Sequence, residues 1–199
     1  MGIARKATNR MSFRGRGPRV TSLCTGVLAG TIGTATMDAV LYGRYRRDGG
    51  TTGFFGWETS ESAKSWQDAS TPGQVGRRLV STLTGRDLPD SAARTTVNAV
   101  HWATGLSWGV AYAIVGRGRR GPWAAVAGPL LGLSAFASGY AILPAMKLYE
   151  PIWSYDKQTL KKALSVHVAF GTSTVLAAAI FGQAMTRRTA RKNLGARGA

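Results

Sequence analysis

The sequence predicts an all-α fold: a bundle of four transmembrane helices with a short amphipathic helix in the first loop. Three observations predict it. Apolar residues gather in four blocks, at 20–43, 95–116, 122–146 and 163–186, each long enough for the roughly 20 residues that a bilayer core requires. Within those blocks the only Asp, Glu, Lys or Arg is Asp38. Lys and Arg collect instead at the block ends, so the net charge of +17 reads as flanking charge in a protein oriented by the positive-inside rule, and nucleic acid is not expected as a partner. A mean hydropathy of -0.06 is low for a membrane protein because basic tails and one long polar loop dilute the average.

Residues 1–19 form a basic tail with Arg5, Lys6, Arg10, Arg14, Arg16 and Arg19 and no apolar period, and disorder is expected there. The four-helix domain is expected over 20–186. Its first span carries Gly26 and Gly30 in a G-x-x-x-G spacing that lets helix backbones approach, although chance explains such a spacing about as well in a glycine-rich chain. Cys24 is the single cysteine and has no partner for a disulfide or a metal set, so it reads as a small apolar residue.

The loop 44–94 holds six of the nine acidic residues and is too small for a second domain. Phe54, Phe55 and Trp57 suit a membrane interface, and Glu58 and Glu61 read as solvated surface residues. Val75, Leu79 and Leu83 recur at i, i+4 and i+8, with Arg77, Arg78 and Arg86 beside them, which predicts a short amphipathic helix over 74–83. It either lies on the membrane or packs on the ends of the bundle.

The second span carries His101 above Gly105 and Gly109, and Arg117, Arg119 and Arg120 make a basic turn after it. In the third span Gly128, Gly132, Ala135 and Gly139 share one face, a smooth groove that implies a central position in the bundle; Pro129 and Pro144 are candidate kinks. Tyr149, Trp153 and Tyr155 in the next hairpin read as interface anchors, and the fourth span carries His167 before a basic tail at 187–199. Four spans place both tails and the 117–120 turn on one side, with fourteen basic and no acidic residues, and this predicts a multi-pass plasma-membrane protein with cytoplasmic tails. Arg44, Arg46 and Arg47 on the far side oppose that orientation.

Because alternate spans run in opposite directions, depth can be counted from one face. At about 1.5 Å per residue, Asp38, His101, His167 and Tyr140 all fall roughly 6 to 10 Å inside the same leaflet. The first three stand on faces lined by small or hydroxylic residues, which turn towards other helices, while Tyr140 lies off its glycine groove. Histidine titrates near neutral pH, so an Asp38, His101 and His167 cluster suits pH sensing or proton relay, while interhelical hydrogen bonding that merely fixes packing carries equal weight. No metal or cofactor is expected, since two His and one Asp lack a helical ligand pair. Enzyme patterns are absent too, and G-R-G-R-R-G at 116–121 lacks the strand and Lys-Ser/Thr that phosphate binding needs, so a non-enzyme is predicted.

Four segments carry a resemblance: GVLAGTIGTATMDAV, PGQVGRRL, AVHWATGLSWGVAY and LSVHVAFG. In order and spacing, over about 23–185, they resemble the YagU-like bacterial inner-membrane proteins. The resemblance implies a bacterial multispan protein and a link to acid tolerance. Two functions stand as expectations: a proton-linked or pH-responsive membrane protein, or a non-catalytic interaction subunit whose glycine grooves and basic tails dock a partner protein or anionic lipid. The lipid bilayer is the expected partner, with a homo-oligomer or membrane complex left open.

Overall fold

A computed structural model describes residues 19–116 and 123–195. The basic tail expected at 1–19 lies outside them but for Arg19, as do the turn at 117–120 and Arg197. Among the described residues every regular element is helical: α1 (Arg19–Arg47), α2 (Phe54–Glu58), α3 (Thr71–Thr84), α4 (Ala93–Val115), α5 (Trp123–Ala145) and α6 (Lys157–Gly195), with single 3-10 turns at Asp90–Ala92 and Ile152–Ser154. The apolar block 163–186 therefore belongs to a longer helix, which begins where the Asp156 carboxylate accepts from the N–H groups of Gln158 and Thr159 at 2.8 and 2.9 Å. Those bonds, led by the Thr159 hydroxyl, hold the Asp156 carboxyl below its ordinary range, as befits a helix N-terminus.

Three of the described helices are long and apolar enough to cross a membrane by length and composition: α1 over Ser22–Arg47, α5 over Ala125–Ala145 and α6 over Lys157–Ala184. The chain is compatible with a membrane protein on that ground. α4 does not reach the same apolarity, since Asn98, His101, Thr104 and Ser107 interrupt its 23 residues.

Glycine decides how the long helices pack. A Cβ at Gly26 would stand 2.6 Å from Val110 Cα, and one at Gly109 would stand 2.4 Å from the Gly26 carbonyl, so α1 and α4 touch backbone to backbone. The G-x-x-x-G of α1 thus meets Gly105 and Gly109 of α4, pairing Gly26 with Gly109 and Gly30 with Gly105 in antiparallel register. Gly33 opens the other side of α1 to Thr174 and Phe170 of α6, while Gly128 and Gly132 of α5 meet Thr172 and His167 of α6. Each pair is antiparallel, and the spatial order is α4, α1, α6, α5.

This order corrects one expectation. The glycine groove of α5 does not make it central; it serves a single close neighbour, α6, and α5 exposes Val126, Leu130, Leu133 and Ile142 elsewhere. The central helices are α1 and α6. Their buried hydroxyls, Thr34 and Thr174, are satisfied within their own helices by the carbonyls of Gly30 and Phe170 at 2.9 and 2.7 Å, so they pack as small side chains at no polar cost.

The loop after α1 folds back over the ends of α1 and α4. Trp66, 5% exposed, donates its indole N–H to the Leu88 carbonyl at 2.8 Å, and its backbone N–H reaches Asp90 Oδ1 at 3.2 Å. α3 starts with Pro72 in its first turn, ends at Gly85 with φ 69°, and lies against α4 through Gly73 and Gly76. The expected helix at 74–83 is therefore present, longer by a few residues and packed on α4.

Candidate functional site

Three expected site residues can be placed by following α1 along its neighbours. The register that pairs Gly30 with Gly105 sets Thr34 level with His101 and Asp38 one turn further on, close enough for the two side chains to meet. His101 Nε2 lies 2.9 and 3.1 Å from the two Asp38 oxygens, a forked contact in which the ring N–H donates to a carboxylate that only accepts when ionised. Asp38 is 3% exposed. A carboxylate so enclosed needs its partner, and the histidine supplies it from the next helix.

His167 stands at a similar height on α6 but does not join them. Its Nδ1 donates to its own helix at the Ala163 carbonyl, 2.8 Å away, and its ring meets Phe136 of α5 edge to face at 5.7 Å. The reason is geometric: the close approach of Gly132 to the His167 backbone fixes this part of α6 against α5 and turns the ring that way. Tyr140 belongs to a separate aromatic group nearer the end of α5, with ring centroids 4.7 Å from Phe136 and 5.5 Å from both Tyr149 and Tyr155. The expected four-residue level thus resolves into an Asp38–His101 pair and an aromatic wall holding His167 and Tyr140.

The pair has a third member from the loop. Trp102 donates its indole N–H to Glu58 Oε1 at 3.2 Å, which brings the Glu58 carboxyl near enough to Asp38 to feel its charge. Partial burial, and then the Asp38 charge, raise the Glu58 carboxyl above its ordinary value. Asp38, Glu58 and His101 therefore form one electrostatically linked group. Reading Glu58 as a solvated surface residue is corrected by this placement; it is half-buried.

What delivers Glu58 is a clamp on the next residue. The Thr59 carbonyl accepts from Arg94 Nε and Asn98 Nδ2, each at 2.9 Å, and its hydroxyl oxygen from Arg94 at 2.6 Å. Arg94, Asn98 and Trp102 follow one another at i, i+4 and i+8 along α4, a polar stripe just ahead of the glycine seam. That stripe is visible in the sequence and is the signal that a loop segment docks there. In the sequence Asn98 and Trp102 stand inside an apolar block, and the docked loop shows what they serve.

Arg44 closes the same end on the opposite side, donating to the Lys162 carbonyl and to Ser165 Oγ at 2.8 Å each, and so tying α1 to α6. By the antiparallel register Arg44 stands level with Arg94, and Asp38 and His101 lie about two turns deeper, roughly 9 to 10 Å. The polar residues thus run as a short column from the loop end down to Asp38. Among the described residues no group of three or more His, Cys, Asp or Glu is arranged to hold a metal ion.

Comparison with known protein families, with curated proteins and with solved structures gives no match. What the chain does must be argued from this geometry.

Proposed function

We propose that the chain is a four-span integral membrane protein whose Asp38–Glu58–His101 group makes it proton-responsive from the loop side. The observation that carries this reading is the Asp38–His101 contact itself, an ionisable pair enclosed between two helices and 2.9 Å apart, with a second carboxyl reaching it from outside. In this reading α4 crosses alongside α1, because polar Asn98 and His101 are spent on Thr59 and Asp38 and not on lipid. The protein takes its place among YagU-like bacterial plasma-membrane proteins with cytoplasmic tails and no enzymatic activity, a proposal supported by the four resembling segments and the basic tails.

Protonation of His101 at falling pH strengthens its contact with Asp38, whereas loss of the Glu58 proton at rising pH sets Glu58 and Asp38 against each other. The group thus has two protonation events that act on the same helix crossing. The test is acid survival of cells producing His101→Ala or Glu58→Gln. Altered survival with unchanged membrane abundance supports the proposal, and abundance falling in step with survival reduces the group to a packing device.

A further inference from the structure

We infer that α3 is a membrane-surface helix, seating Leu79 and Leu83 among lipid acyl chains with Arg78 and Arg86 against anionic phospholipid headgroups. The inward face of α3 is spent on α4: a Cβ at Gly73 would stand 2.6 Å from Val97 Cγ2, and one at Gly76 2.4 Å from Thr96 Cγ2. The apolar stripe lies beside that face, not on it, so Leu79 and Leu83 remain 55% and 74% exposed. Packing within the chain accounts for the glycines and leaves these leucines without an apolar neighbour to cover them.

Height and charge together name the occupant. α3 meets α4 between Arg94 and His101, the stretch where the charged boundary marked by Arg44 and Arg94 gives way to the apolar helices. Phe55 and Trp153, 81% and 83% exposed, extend from the same end of the molecule. α3 itself carries no acid. The acids that follow it are engaged inside the loop, Asp87 with Arg77 at 3.3 Å and Asp90 with the Trp66 N–H, while Arg77 also lies over the Trp66 ring at 5.3 Å. Arg78 and Arg86 are exposed and make no ion pair among the described residues. A helix with exposed leucines beside the unpaired Arg78, the unpaired Arg86 just past its Gly85 end, and a fixed height at the end of the apolar helices matches an anionic bilayer surface.

The inference rests on the membrane reading of the long helices but not on the Asp38–Glu58–His101 group. It is tested on the full-length chain, with Cys24→Ser as background and single nitroxide-labelled cysteines at Leu83, Arg78 and Leu133, reconstituted in vesicles of phosphatidylcholine with phosphatidylglycerol. Collision with oxygen, which partitions into lipid, is compared with collision with a water-soluble nickel chelate. Position 133 on the outer side of α5 reports the membrane reading: exposure to the chelate there overturns that reading whatever α3 does. With 133 in lipid, position 83 is expected to favour oxygen several-fold and position 78 to favour the chelate. Chelate access at 83 overturns the inference, and so does protection from both reagents with spin-spin broadening, which would assign the stripe to a second copy of this chain. Arg78→Gln with Arg86→Gln, or vesicles of phosphatidylcholine alone, is expected to move position 83 towards the chelate; no movement overturns the headgroup part.

Discussion

Asp38 is 3% exposed and leans on His101, and the consequences can be measured one side chain at a time. His101→Ala leaves an enclosed carboxylate without its donor and is expected to cost about 3 kcal/mol, read as loss of stability in detergent unfolding. Adding Asp38→Asn to that variant should restore part of the loss, because the orphaned charge is gone; a double variant as unstable as the sum of the singles would deny the coupling. Glu58 gives a pH signature. Burial and Asp38 lift its carboxyl above the ordinary 4.5, so the native state holds this proton more firmly than the unfolded chain does. The stability it contributes is complete below pH 4.5 and is lost as pH rises through the raised value. Glu58→Gln should flatten that decline in a melting series across the window, with Asp38, His101 and Trp102 as the groups facing it.

The helix crossings are governed by what is missing from glycine. Gly109→Ala places a methyl against the Gly26 carbonyl and Gly30 Cα, backbone that cannot step aside, and is expected to destabilise by about 1–3 kcal/mol while pulling Asp38 off His101. Gly43→Ala lies on the same α1 with nothing within 4 Å and should be neutral or stabilise by about 0.5–1 kcal/mol. A similar loss from both substitutions would trace the effect to replacing a helical glycine as such and not to the seam. At this scale much was legible in the residues. The spacing of Gly26 and Gly30 gave the seam, and helical depth gave the Asp38–His101 height, because rise per residue is a local property. Azimuth is not local: which way His167 points was settled by Gly132 on another helix, and Glu58 arrived through Thr59, whose partners Arg94 and Asn98 lie 35 and 39 residues further along. The groove of α5 misled for the same reason, since a smooth face announces a close neighbour but not how many.

Taken whole, the antiparallel order α4, α1, α6, α5 makes a topological prediction. If α4 crosses with the other three helices, the loop before it and the hairpin after α5 emerge on one side. Single cysteines at Gly53 and Glu150, on the Cys24→Ser background, should then react from the same side of intact vesicles with a membrane-impermeant maleimide. Reaction from opposite sides would mean that only α1, α5 and α6 cross. The order in space also differs from the order along the chain, and synthesis feels the difference. α1 precedes both of its flanking neighbours, α4 and α6, along the chain, and α5 comes between those two. During translation its Asp38 must wait for more than 60 residues before His101 exists, and its Gly33 face waits longer still for Thr174. An unassembled α1 is thus the exposed stage of biogenesis, the point at which quality control or an insertion chaperone would have a buried acid and an open glycine seam to recognise.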